Sequence, residues 1–196
     1  MMIPNPDKAR LRNRNMLVAI FGLFFGGMLI AGLLRFSGWR PEGMKNKGEM
    51  LQPYADLRDY SPTLSSGDPY HWNASPRTWR ILVAPTRCKS ERREQCGKLL
   101  HQVDTVWQLM GKDAARVHVL WVGEPPAGVS MPTEVHVVRG DAVLPARLPQ
   151  GKGTTRSPGG DAAWLVDPNG FVVLRYAPGF DPGDLRSDVA RLLKVN

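Results

Sequence analysis

The sequence predicts an α/β domain built on one mixed sheet and carried behind a single N-terminal transmembrane helix. Three observations predict it. An uncharged apolar run extends from Met16 to Leu34, a strand, helix, strand alternation runs from Trp79 to Val122, and two apolar runs flank Asp167-Pro168-Asn169-Gly170 ahead of a last amphipathic segment. The 196 residues are 42% hydrophobic and 22% charged, the balance of a chain that folds rather than one that stays disordered.

The run MLVAIFGLFFGGMLIAGLL spans roughly the 30 Å of a hydrocarbon core at about 1.5 Å rise per residue. A cleaved signal peptide has a shorter apolar core and a small-x-small exit, whereas Leu33-Leu34-Arg35-Phe36 follows here, so the run reads as an uncleaved anchor. Gly22 and Gly26 fit a Gly-x-x-x-Gly spacing, but glycine is common in membrane helices, and self-association is the lesser reading. Lys8, Arg10, Arg12 and Arg14 precede the run, and Arg35, Arg40, Lys45 and Lys47 follow it in equal number. Charge therefore ties, and orientation rests on the short basic leader before a single span, the signal-anchor arrangement. That places the C-terminal domain on the periplasmic side of a bacterial-type inner membrane.

The net charge of +8 falls to +4 beyond residue 35, where 21 Lys and Arg face 17 Asp and Glu, mixed along the chain. With no basic-aromatic stripe, nucleic-acid binding is excluded as a function class. Residues 36–75 hold Pro41, Pro53, Pro62 and Pro69 among Gly, Ser and Asp and read as a linker without long helix. The expected organisation is a leader over 1–15, an anchor over 16–35, the linker over 36–75 and the folded domain over 76–196.

Within that domain, Trp79–Ala84 is a buried strand ended by Pro85. Ser90 is positioned to cap a helix that has Glu91 and Glu94 in its first turns. Cys96, Leu99, Leu100, Val103, Val106, Trp107 and Met110 recur at threes and fours, one buried helix face, until Gly111. Arg116–Val122 is a second strand and Val135–Val138 a short third, and 139–160 is loop-rich. Ala163–Val166 and Phe171–Tyr176 form a hairpin around Pro168-Asn169-Gly170. Asp181 then caps a helix with Pro182 at its first position and Leu185, Val189, Leu192 and Leu193 along one side. Strand, cysteine-bearing turn, helix, strand, hairpin and helix in that order make a thioredoxin-like core.

The candidate chemistry lies in Cys88 and Cys96. Cys88 sits between a strand end and a helix start, where the helix dipole favours a thiolate, and Arg87 and Lys89 flank it. Seven residues separate it from Cys96. On one continuous helix their Cα atoms would stand about 12 Å apart axially, beyond the roughly 7 Å reach of a disulfide, so cooperation requires the chain to bend between them. Two readings stand: a working sulfur pair, for thiol exchange or a soft metal, or Cys96 as a packed core residue with Cys88 a lone thiol. His71, His101, His118 and His136 read as exposed or satisfied histidines, and Met131 as packing. Phosphate-loop, nucleophile-elbow and zinc-protease motifs do not occur, and Asp181 and Asp184 read as helix caps rather than paired catalytic carboxylates.

The segments Trp79–Cys96, Leu99–Val122 and Ala163–Leu193, the turn Trp164-Leu165-Val166-Asp167-Pro168-Asn169-Gly170 and the stretch Asn46–Pro53 resemble the Sco/SenC family, in a diverged branch. The resemblance implies a membrane-anchored thioredoxin fold that helps assemble the copper site of cytochrome c oxidase. It implies copper as the metal, Cys88 as exposed thiolate, Cys96 as resolving thiol or second soft ligand, and haem-copper oxidase subunits or other assembly factors as partners. The chain departs from the family's Cys-x-x-x-Cys spacing, and Gly159 stands where the family's metal-binding histidine is expected. A degenerate thioredoxin fold serving as a tethered binding module, without redox or metal chemistry, is the rival reading. Whether the protein is an enzyme is left open.

Overall fold

The structure, a computed structural model, describes residues 6–37, 46–85, 88, 90–150 and 161–194. It divides into two units, Met1–Lys45 and Asn46–Asn196. In the first, helix α1 runs unbroken from Pro6 to Phe36. Its stretch Arg10–Phe36 is long and apolar enough to cross a membrane, with a mean hydropathy of 2.5 over an 18-residue window. The helix begins earlier than the expected anchor, because proline is suited to a first helical turn and nothing between Pro6 and Met16 breaks it. Arg10, Arg12 and Arg14 thus extend from the same helix that carries the apolar run.

The second unit is a six-stranded sheet that opens with strand β1 (Glu49–Asp56) and has the order β1-β6-β5-β2-β3-β4. Strands β2 (Trp79–Val83), β3 (Val117–Val122) and β4 (Val135–Val138) are parallel, and β5 (Ala163–Val166) and β6 (Phe171–Tyr176) complete the sheet antiparallel. Helix α2 (Arg93–Gln108) crosses from β2 to β3, and α4 (Pro182–Leu192) ends the fold. This is the thioredoxin-like arrangement that the element order predicts.

Strands β2, β3 and β5 alternate between two cores. Trp79, Ile81 and Val83 face α2 and α4 together with Val119, Trp121 and Leu165. Leu82, Leu120, Val122 and Trp164 face the other side, covered by Leu57, Tyr70, Trp72 and Leu144. The predicted stripe on α2 is buried at Cys96, Leu99, Leu100, Val103 and Val106. The hairpin also forms: Asp167 Oδ1 accepts from the N–H groups of Asn169 (2.9 Å) and Phe171 (2.8 Å), and Gly170 takes φ 101°.

Three expectations are corrected. The stretch 46–75 is not linker: β1 (Glu49–Asp56) is an edge strand antiparallel to β6, and the chain after it packs on the sheet through Leu57, Tyr70 and Trp72. Its burial pattern shows one fully buried residue, Leu51, and Pro53 sits where the register slips, so no alternation announces it. Ser90 does not cap α2; it opens a 3-10 turn, Ser90–Arg92, and Arg92 holds the cap position without a side-chain capping bond. Within the loop-rich 139–160, Val143–Arg147 forms a short helix, α3, its first N–H groups bonded to Asp141 Oδ1. Arg87, Lys89 and Gly159 lie outside the described residues.

Candidate functional site

Cys88 follows the end of β2, and Cys96 is in the first turn of α2. The 3-10 turn between them doubles the chain back, and the two Cα atoms come to 5.7 Å instead of the separation a continuous helix imposes. The sulfurs form a disulfide. The bend that cooperation requires is therefore present, and the lone-thiol reading of Cys88 is set aside.

The exposure of the pair differs from expectation. Cys88 is 5% exposed and Cys96 0%, both within the apolar core beneath α2. The expected exposed thiolate at Cys88 is instead a nearly covered residue bonded through its sulfur to Cys96. Cys88 lies nearer to solvent than Cys96.

Asp161, two residues before β5, accepts an ion pair from Arg92 at 2.8 Å. Ala163 pairs with Val83, so the start of β5 lies beside the strand that delivers Cys88. Met131 packs against the same core as the disulfide. A disulfide offers copper no thiolate, so the described form does not fit the ion. Reduction would yield two soft donors, and among the described residues no cluster of three or more Cys, His, Asp or Glu side chains adds a further one.

The histidines lie elsewhere. His71 and His101 are exposed, and His118 and His136, whose ring centroids are 4.6 Å apart, sit on the sheet face away from α2. Sequence reasoning missed what surrounds them. Arg80, 1% exposed in β2, donates to Tyr70 Oη (2.8 Å), Thr78 O (2.7 Å), Asp167 O (3.1 Å) and Trp72 O. The same Tyr70 hydroxyl shares a hydrogen bond of 2.8 Å with His118 Nδ1. Burial, then the neighbouring His136 and the Arg80 charge, hold the His118 pKa down at about 4, so the ring is neutral. The available signal was an arginine in the middle of the buried strand Trp-Arg-Ile-Leu-Val. This network binds the segment Tyr70–Trp72 to the sheet.

No curated protein matches the sequence. Of solved structures, BsSco, described as a member of the Sco family of cytochrome c oxidase assembly proteins, is 11% identical with a TM-score of 0.53 over 76% of this chain and 98% of that one. Trgpx in its apo form is 16% identical, TM-score 0.51, over 71% of this chain and 95% of that one. Copper-bound ScoI of Bradyrhizobium japonicum is 16% identical, TM-score 0.45, over 67% and 95%. At these identities BsSco and Trgpx show a common fold. Residues 79–196 match the family described as "Transmembrane-like, thioredoxin-like, C-terminal domain", and the chain belongs to that family.

Proposed function

We propose that this protein is a membrane-tethered thiol–disulfide factor of the periplasmic face, serving the assembly of a haem-copper oxidase. The observation that carries the redox part is the Cys88–Cys96 disulfide at the junction of β2 and α2. The exchange balances simply. A partner dithiol attacks Cys88 Sγ, Cys96 leaves as thiolate, and the partner's second thiol resolves the mixed disulfide. The partner ends oxidised by two electrons, and Cys88 and Cys96 end as thiols carrying the partner's two protons. The oxidase and copper parts rest on the resemblance to Sco proteins, and there Cu(I) is cargo for the reduced pair rather than a resident group. The anchor α1 and the signal-anchor reading of its basic leader support the orientation.

The test is copper loading of the oxidase in cells carrying Cys88→Ser or Cys96→Ser. Loading is expected to fall in both, and unchanged loading in both rules the proposal out. The burial of both sulfurs favours a second reading, in which the disulfide is a structural staple within a tethered binding module. A redox titration of the full-length protein in detergent separates the two. A midpoint in roughly the −180 to −270 mV range of exchange proteins supports the first, and one below about −300 mV supports the staple.

A further inference from the structure

We propose that His118 and His136 form a metal site apart from the disulfide, holding one divalent transition-metal ion through two imidazoles, Cu(II) more tightly than Zn(II). Strand register brings the two rings together. His118 is the second residue of β3 and His136 the second of β4, and the parallel pairing sets His136 opposite Leu120, two positions after His118. Both side chains therefore stand on the sheet face of Leu120 and Val122, away from α2. Their ring centroids are 4.6 Å apart and their planes are tilted by 52°. An imidazole nitrogen binds such an ion at about 2.0–2.1 Å, so two rings in neighbouring positions on one ion have centroids about 4.5–5.5 Å apart. The observed separation lies in that range.

Three of the four ring nitrogens are available. Among the described residues, His118 Nδ1 shares a hydrogen bond with Tyr70 Oη at 2.8 Å, and His118 Nε2 and both nitrogens of His136 make none. A ligating histidine gives its second ring N–H to an oxygen that fixes the ring. Tyr70 Oη offers His118 that oxygen, itself held by Arg80 Nε at 2.8 Å, and Nε2 is left for the ion. The His136 ring, which no hydrogen bond holds, presents either nitrogen by a turn about its Cβ–Cγ bond. Both rings are half-buried, so the ion enters from solvent, and burial keeps both neutral, so it displaces no proton. The Arg80 charge behind Tyr70 works against a cation and keeps the affinity modest. Imidazole suits Cu(II) and Zn(II), and of the divalent first-row ions Cu(II) binds a given nitrogen site most tightly. Two protein ligands leave the other positions to water, the open arrangement of an exchangeable ion rather than a structural one.

The experiment titrates untagged full-length protein in detergent, its disulfide intact, with Cu(II) and separately with Zn(II). Calorimetry gives stoichiometry and affinity, and electron paramagnetic resonance of the Cu(II) form counts the imidazoles bound. Wild type is expected to take up one Cu(II) per chain with the nitrogen couplings of two imidazoles, and to hold Zn(II) roughly tenfold or more weakly. His118→Asn and His136→Asn should each weaken Cu(II) binding by at least about tenfold and leave one imidazole in the spectrum. His101→Asn, which removes an exposed histidine of α2, should leave affinity and spectrum as in wild type. His136 makes no hydrogen bond, so H136N decides even where loss of the Tyr70 contact unfolds H118N. The absence of saturable uptake, a one-imidazole spectrum in wild type, or a Cu(II) affinity within about twofold of wild type in H136N overturns the proposal. Zn(II) uptake that requires prior reduction of the disulfide assigns the ion to Cys88 and Cys96 and overturns it as well.

Discussion

Asp188, 1% exposed on α4, accepts the backbone N–H of Gly48 at 2.9 Å, and the same oxygen takes the N–H of Lys47 (2.7 Å) and the hydroxyl of Tyr176 (2.8 Å). One buried carboxylate thus fastens the start of β1 to the end of β6, and burial beside it pushes the Tyr176 hydroxyl far above the ordinary tyrosine pKa. Gly48 is required there because a Cβ would stand 2.7 Å from the Tyr176 ring. Asp188→Ala leaves the buried Gly48 N–H and Tyr176 hydroxyl without their acceptor and is expected to destabilise the folded unit by about 3–5 kcal/mol, and Gly48→Ala by about 1–3. Chemical denaturation measures both, and hydrogen exchange should show the β1–β6 ladder losing protection first. A loss under 1 kcal/mol in Asp188→Ala would contradict the fastening role.

The Arg80 network makes a second prediction. Tyr70→Phe removes one hydroxyl and leaves Arg80 Nε and His118 Nδ1 each without a bond they make now. The expected cost is about 1–3 kcal/mol. Arg80→Lys should cost at least as much, since an ammonium cannot reach the carbonyl groups of Thr78, Trp72 and Asp167 and the tyrosine oxygen in the same planar geometry. Wild-type-like denaturation midpoints in both variants would show the network to be incidental.

How legible each part was follows from the range of the interaction that forms it. The α2 stripe and the Asp167–Gly170 turn depend on neighbours within a few positions, and both stand as read. Strand β1 is held from outside itself, by β6 and by Asp188 some 140 positions later, so its own residues show Pro53, a single buried side chain at Leu51 and no alternation. At the site, the spacing of Cys88 and Cys96 stated the requirement for a bend. Whether the bend exists depended on a 3-10 turn that local propensity, with no Gly or Pro between Lys89 and Gln95, gave no reason to expect. The meeting of Arg80, Tyr70 and His118 joins three segments distant in sequence, and periodicity holds no trace of it.

Acid should weaken this fold through His118. Its pKa is about 4 in the fold against the ordinary 6.5, so the native ring stays neutral while the unfolded chain takes up a proton below pH 6.5. Stability from this residue is complete above that value and is lost as pH falls toward 4. Burial likewise holds the His136 pKa down, and that ring adds in the same direction. Because His118 is only partly covered, the loss attributable to it is about 1 kcal/mol after solvent screening. Urea unfolding at pH 7 and pH 5 should show a smaller drop in His118→Asn than in wild type. Equal drops in the two proteins would remove His118 as the source.

The disulfide should matter to stability whatever its redox role. Closing so short a loop restricts the unfolded chain by roughly 2–3 kcal/mol, for a sequence separation of 8. Replacing both cysteines with alanine is expected to cost about that much in guanidinium unfolding. Serine is a harsher replacement at one of the two positions: Cys96 has no exposed surface, so Cys96→Ser buries a hydroxyl in an apolar core and should cost about 1–3 kcal/mol more than Cys96→Ala. At Cys88, nearer to solvent, the serine and alanine variants should differ by less. In-cell comparisons are then safest with the Cys96→Ala variant, whose stability loss can be matched by a core substitution remote from the disulfide, such as Val172→Ala. If Val172→Ala lowers oxidase copper loading as far as Cys96→Ala at equal stability, the loss comes from folding and not from the missing sulfur.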